Sequence, residues 1–400
     1  MLAVRSLRVV LLYALLALVV FGVVWSYPRG DKTMDLGSFI ASGQAASHHL
    51  NPYAAYDLTV KFRAGDVSGN AINRNPPVSI PIFQALSRFD PIASFRVWYF
   101  VSLAFYLAAV AVLCRTYPRY ATSLRIAWAL GLAGVWSTVN LGQIYMPLVL
   151  TSTAAYVLLQ QRRHVFAGVF IGALIAIKPN FLVWPVLLLI AGAWTTALTA
   201  LVFAGTASLI PAIVYGPRIY LQWAQTFSSH PWISYPTNGS LFGLMDRLGA
   251  PWLGVAVSGL LLVALALLTW RRRVPTTLVS DFALLGSLLA SPEAWTGYTL
   301  FLLPVFFRRP WGPIMVCAAG LLMVPETLIL EWSKLSTWHF AVFANLDNVA
   351  LLALLPAVVR DALGSVENAQ IPNGSPSSVA GADESVESSP VLVESLGEPP

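Results

Sequence analysis

Residues 5–26 read RSLRVVLLYALLALVVFGVVWS: two arginines, then an unbroken run without a charge. A membrane-spanning helix needs roughly 20 apolar residues. The run is too long for the apolar core of a signal peptide, and no small-x-small cleavage site follows it. It reads as an uncleaved first helix that begins in the cytoplasm at Arg5 and Arg8.

The rest of the chain agrees with that reading. Apolar residues make up 57% of the 400 and charged residues 10%, with a mean hydropathy of +0.69. A soluble domain carries about 25% charged residues, so a water-facing globule of this size is excluded. Further apolar runs fall near 94–114, 124–139, 144–159, 165–177, 181–193, 195–215, 251–270, 278–290, 297–307, 312–330 and 338–359. With the first helix they predict an all-α polytopic membrane protein of about 12 transmembrane helices.

Orientation follows from the positive-inside rule. With twelve spans the cytoplasmic loops fall at 115–125, Arg162 and Arg163, Arg271 to Arg273, Arg308 and Arg309, and Arg360. All carry basic residues; only the turn near Trp194 lacks one. Both termini are then cytoplasmic, and two long loops, about 27–93 and 216–250, lie outside. In the first, Leu36, Phe39 and Ile40 recur at helical spacing with Gly43 behind them, which predicts a juxtamembrane helix lying in the interface.

Charge divides the chain into two parts. Residues 361–400 hold seven acidic side chains and no Lys or Arg, so 1–360 carry 24 basic against 11 acidic residues, a net +13. That excess suits anionic lipid or an anionic substrate. Nucleic acid is not expected as a partner, because the charges are dispersed among hydrophobic runs. The Ser-, Pro-, Gly- and Glu-rich tail after Arg360 reads as a disordered cytoplasmic extension. Cys114 and Cys317 cannot build a disulfide framework.

Polar groups gather at the outer ends of the spans. Asp35, Asn51-Pro52-Tyr53 and Asn73-Arg74-Asn75-Pro76-Pro77 belong to the first long loop. Asn140-Leu141-Gly142-Gln143, Lys178-Pro179-Asn180 and Ser291-Pro292-Glu293-Ala294-Trp295 are outer turns; His230 and Asn238-Gly239-Ser240 lie in the second long loop. Intramembrane and interfacial polar residues are costly and mark function. Each also has a structural reading. Asp35 suits a helix N-cap, Lys178 a snorkelling side chain, Trp295 and Tyr298 an aromatic belt, and Gly142-Gln143 a tight turn. Gly168 and Gly172 suit helix packing. Asn238-Gly239-Ser240 matches a glycosylation acceptor. His48-His49 has no carboxylate or Cys at ligand spacing, so no metal site is expected there.

In order along the chain, Asp35-Leu36, Gly43, Asn51-Pro52-Tyr53, Asn75-Pro76-Pro77, Gly142-Gln143, Lys178-Pro179 and Ser291-Pro292-x-x-Trp295-x-x-Tyr298 resemble glycosyltransferase family 87. That family includes polyprenyl-phosphate-mannose-dependent mannosyltransferases of bacterial envelope lipid synthesis. The resemblance runs from the first helix to about residue 330. It implies a GT-C fold, a polyprenyl-phosphate sugar donor, and a lipid or glycan acceptor at the outer face of the cell membrane. One position departs: the family often has His two residues after this Trp, and here Gly297 stands there, with Glu293 and His230 as candidates to replace it.

The chemistry so implied is direct displacement on a β-linked donor, giving an α-glycoside. It needs one carboxylate to take the acceptor proton and cations or donors to meet the charge left on phosphate. Asp35 is the expected base, Lys178 and Arg74 the expected cations. Asn75, Gln143, Glu293, Trp295 and Tyr298 are expected substrate contacts, with no cofactor and no metal cluster called for. The rival readings are a transporter or lipid flippase, for which Asp281, Glu326 and Asp347 supply the charges within spans, and a non-catalytic scaffold.

Overall fold

In a computed structural model the described residues are 2–28, 33–64, 67–227, 233–272 and 274–370. His230, Arg273 and the tail beyond Gln370, all singled out from the sequence, lie outside them. The chain is mostly helical. The first helices are α1 (Leu2–Ser26), α2 (Met34–Ser47) and α3 (Ile80–Leu86), followed by α4 (Pro91–Thr116), α5 (Ser123–Leu130), α6 (Ala133–Leu141), α7 (Tyr145–Gln160) and α8 (His164–Ile177). Next come α9 (Val183–Ile190), α10 (Trp194–Tyr215), α11 (Arg218–Gln225), α12 (Leu241–Arg247), α13 (Pro251–Arg272) and α14 (Thr276–Leu289). The last are α15 (Leu303–Phe307), α16 (Pro313–Leu321), α17 (Glu326–Ser333), α18 (Thr337–Phe343) and α19 (Leu346–Gln370).

Five segments are long and apolar enough to cross a membrane: Val9–Ser26, Pro91–Thr116, Trp194–Tyr215, Pro251–Arg272 and Thr337–Gly364. Six other apolar helical segments are shorter, and α16 with α17 forms a pair bent by 78°. The expected run 124–139 is two short helices, α5 and α6, separated at Gly131 and Leu132. A count of twelve crossings is therefore not established. Shortness goes with burial. Residues 278–289 of α14, and 296–307, which hold a 3-10 helix (Thr296–Leu302) and α15, are buried on every face. Mostly apolar and enclosed on all sides, they form the interior of the bundle. The long helices instead expose large apolar side chains, among them Val10 and Phe21 of α1, Val202 and Ile213 of α10, and Trp252 and Leu260 of α13. Such surface suits lipid, where helical backbone satisfies its own hydrogen bonds.

Three expectations are corrected. The fold is not purely helical, because strands β1 (Val60–Ala64) and β2 (Val67–Ala71) pair as an antiparallel hairpin within the first long loop. The helix expected to lie in the interface, α2, is buried on nearly all sides. Its small residues admit neighbours: a Cβ on Gly43 would lie 2.4 Å from the Phe83 carbonyl of α3. Finally, α19 continues past Arg360 to Gln370. Asp361 pairs with Arg309 at 3.0 Å, and Ala362 is fully buried.

The Gly168 and Gly172 reading is a packing one here. Cβ atoms at those positions would meet the Thr196 and Ala200 carbonyls of α10, each at 2.6 Å. Asp281 is a buried tie rather than a free charge. It accepts hydrogen bonds from Tyr156 (2.6 Å), Arg308 (2.5 Å) and Arg309, joining α14 to the basic loop after α15.

Candidate active site

At the other end of α14 lies a cavity of about 770 Å³. Its wall holds all eight residues expected at the site: Asp35, Arg74, Asn75, Gln143, Lys178, Glu293, Trp295 and Tyr298. They arrive from distant parts of the chain, most of them from helix ends and the turns beside them, with Arg74 and Asn75 in the segment between β2 and Pro77.

Asp35 is the second residue of α2, not its N-cap; Thr33 holds that place. In the first turn its charge gains from the helix dipole. Gln143 Nε2 donates to Asp35 Oδ2 at 2.6 Å. That reach depends on Gly142, which closes α6 in the left-handed region at φ 71°. A Cβ there would also stand 2.7 Å from that of Leu36. The glycine thus lets two elements close up and aims the glutamine at the acid. Burial pushes Asp35 up to about 6, opposed by the Gln143 hydrogen bond and reinforced by the charge of Glu326.

Lys178 does not snorkel toward a surface. It follows α8 in the turn before a 3-10 helix (Pro179–Leu182), and its Nζ sits 4.8 Å from the Tyr145 ring centroid and 5.3 Å from that of Tyr298. These are cation–π distances. Burial pulls its pKa down to about 8, opposed by the charge of Glu293. The two tyrosine rings pack 4.8 Å apart, and Tyr298 is buried, which excludes it from an aromatic belt. Trp295 stands edge-on to Tyr235, also in the wall.

Arg74 is engaged. Its Nη1 pairs with Glu293 Oε1 at 2.8 Å, and its carbonyl accepts from Trp223. Lys178 is therefore the more available cation for a phosphate. Asn75 is held by Asn73 Oδ1, which accepts from its backbone N–H at 3.0 Å and its side-chain Nδ2 at 3.1 Å; Tyr53 donates to the Asn75 carbonyl.

The departure at Gly297 has a steric account. A Cβ there would lie 2.6 Å from Thr138 Oγ1 and 2.6 Å from Tyr145 Cδ2. Tyr145 fills the space a larger residue would need, and the same ring carries Lys178.

Asn238 is buried, with both ends of its amide used. Nδ2 donates to the Ile233 and Pro292 carbonyls at 3.0 Å each. Oδ1 accepts from the Ser240 and Ala294 backbone N–H groups. It is a clamp on the turn bearing Glu293 and Trp295, and it is closed to glycosylation.

Four wall or wall-supporting residues were missed as site residues: Ser137, Thr138, Thr237 and Glu326. Ser137 donates to Glu326 Oε2, and Thr237 Oγ1 donates to Oε1 at 3.2 Å. Among the described residues, two buried polar atoms of the wall, Thr138 Oγ1 and Asn180 Nδ2, have no hydrogen-bond partner. The cavity thus combines a carboxylate near neutrality, a cation on an aromatic platform, and unfilled donors and acceptors.

The model of glycosyltransferase family 87 matches residues 74–292, more than half of the chain. The chain belongs to glycosyltransferase family 87. The match takes in Arg74, Asn75, Gln143 and Lys178, while Asp35, Glu293, Trp295 and Tyr298 lie beyond its ends. Among solved structures, the chain is similar to the crystal structure of ArnT from Cupriavidus metallidurans bound to undecaprenyl phosphate. Identity is 14% and the TM-score 0.40, over 90% of this chain and 75% of that one. A comparison with curated proteins gives no match. Family 87 membership, with the five apolar helices, makes this a membrane glycosyltransferase, in place of the transporter and scaffold readings.

Proposed function

We propose that the protein transfers a hexose, mannose, from a polyprenyl-phosphate donor to a hydroxyl of a lipid or glycan acceptor at the outer face of the membrane. The observation that carries this reading is the meeting of Asp35 and Lys178 in one cavity at helix ends. A lipid-linked donor presents its head group at that level of a membrane protein.

In the reaction, Asp35 takes the proton of the acceptor hydroxyl as its oxygen attacks the anomeric carbon of the sugar. The bond from that carbon to the phosphate oxygen breaks, and polyprenyl phosphate leaves with the electron pair. Displacement from the opposite face inverts the centre, so a β-linked donor yields an α-glycoside. A pKa of about 6 suits a base working near neutral pH. Lys178 meets the charge that grows on the leaving phosphate; its aromatic platform holds the ammonium, and among the described residues no carboxylate is bonded to it. Gln143 keeps the Asp35 carboxylate turned into the cavity.

Orientation is supported by α14. Its Asp281 is tied to Arg308 and Arg309 of a basic loop, and ten residues onward Ser291 enters the cavity wall. The cavity thus lies beyond the C-terminal end of α14 and the basic loop toward its N-terminal half. Basic loops on the cytoplasmic side leave the cavity facing outward. The test is to incubate membranes containing the protein with labelled polyprenyl-phosphate mannose. Label is expected in an extractable lipid or glycan as an α-mannoside. No transfer, with transfer instead from a nucleotide sugar, overturns the donor assignment.

A further inference from the structure

Glu326 is not used by the mechanism above, yet it lines the same cavity as the carboxylates of Asp35 and Glu293. It begins α17 at the 78° break after α16. Both its oxygens already accept protein hydroxyls, from Ser137 and Thr237. Among the described residues no Lys, Arg or His lies within ion-pair distance of it. A carboxylate held away from bulk water without a cation is costly. Each carboxylate oxygen has two lone pairs, so after Ser137 and Thr237 each retains one acceptor position.

The side of the cavity on which it works can be read from its neighbours. Glu293, not Glu326, is the carboxylate that acts on Lys178, whereas Glu326 adds its charge to that of Asp35. Ser137, which holds Glu326, lies on α6, the helix that closes at Gly142 and sets Gln143 against Asp35, so Glu326 sits on the base's side of the cavity. A group there must donate hydrogen bonds and be neutral or positive. Ser137 and Thr237 show which donors the carboxylate already takes, namely hydroxyls.

We propose that Glu326 is an acceptor-binding residue, its carboxylate gripping hydroxyls of a polyol or sugar acceptor next to the one that Asp35 deprotonates. The inference rests on the transfer reaction proposed above. It calls for an acceptor with a second hydroxyl beside the reacting one rather than a simple alcohol.

The test uses purified full-length protein in detergent and two kinds of probe. Small polyols (methyl α-D-mannopyranoside, methyl α-D-glucopyranoside and myo-inositol) report the acceptor side by saturation-transfer NMR, and polyprenyl phosphate reports the donor side. At least one polyol should bind the wild type. Glu326→Gln should weaken that polyol by about tenfold to a hundredfold, the loss expected of a charge-assisted hydrogen bond, while polyprenyl phosphate affinity stays within twofold. Thermal unfolding checks that the variant is folded. If it is not, Glu326→Asp keeps the charge, shortens the reach, and should still cost the polyol threefold or more. No polyol binding by the wild type overturns the assignment. So does polyol binding unchanged in the variants, or an equal loss of polyprenyl phosphate. A wild type that binds a polyol in a Glu326-dependent way, but transfers no mannose from the lipid-linked donor, overturns only the donor reading.

Discussion

With Asp35 raised to about 6 and Lys178 lowered to about 8, the free enzyme holds a carboxylate and an ammonium together only between those values. Below the first, Asp35 is protonated and cannot accept the acceptor proton; above the second, Lys178 loses the charge that meets phosphate. The profile of kcat/KM against pH should be a bell with limbs near 6 and 8, since kcat/KM reports the free enzyme. A flat profile from pH 5 to 9 in the transfer assay contradicts the assignment of both groups. Lys178→Ala should weaken donor binding by about tenfold to a hundredfold, and Lys178→Arg should keep part of it while abolishing the alkaline limb. Donor affinity unchanged in Lys178→Ala removes that lysine from phosphate binding. At this scale much of the site was legible, because charged residues at the ends of apolar runs stand out against a composition this poor in charge. Ser137 and Thr237 were not legible, since a hydroxyl inside or beside an apolar run also satisfies itself on its own helix. Glu326 stood out in the sequence only as a stray charge, because Pro325 marks a break there but not what the residue after it faces.

Among the elements, the turn from Ser291 to Trp295 is held from outside. Asn238 supplies a donor to Pro292 and an acceptor to Ala294, and Gly239 donates to the Ala294 carbonyl at 2.8 Å. Asn238→Asp replaces the donating Nδ2 by an oxygen facing two carbonyls. It should cost about 2–4 kcal/mol of stability, as buried groups left without partners do, and lower transfer through the displaced Glu293 and Trp295. Thermal unfolding alongside donor KM measures both. An unshifted melting temperature shows that the turn does not depend on this clamp. The element misread from sequence was α2. Leu36, Phe39 and Ile40 mark one apolar face, but Gly37, Ser38, Ala41, Ser42 and Gly43 look neutral in a periodicity count. Their smallness lets the Leu58 carbonyl, 2.7 Å from a Cβ on Gly37, and α3 close on the other faces. Hydropathy patterns register what a side chain prefers, not how near a neighbour comes when the side chain is absent.

Over the whole molecule, the class of the protein was legible and the number of crossings was not. Hydropathy finds apolar runs regardless of what surrounds them. A run that faces lipid must match the bilayer, as α4 and α13 do by length. One shielded by protein, such as 296–307, can be short or partly 3-10 without exposing its backbone. The same scale decides where the chain can be shortened. Truncation after Gln370 removes a segment without Lys or Arg and should leave transfer by purified enzyme unaltered. Truncation after Arg360 also removes Asp361 and its pair with Arg309, together with buried Ala362. It should lower stability by about 1 kcal/mol, a partly exposed ion pair contributing little. Equal melting temperatures for the two truncations contradict a role for that contact.

The central claim is that Asp35 is the base of a lipid-linked sugar transfer, and Asp35→Asn tests it most directly. The amide keeps the size of the side chain and can still hydrogen-bond Gln143, but it cannot take a proton. Initial transfer rates from labelled polyprenyl-phosphate mannose should be measured for wild type and variant at pH 7, together with polyprenyl phosphate affinity. The account predicts donor-side affinity within about twofold and a rate lower by about 10²–10⁴, the usual cost of losing a general base. A variant that binds as the wild type does and transfers at more than about a tenth of its rate contradicts it.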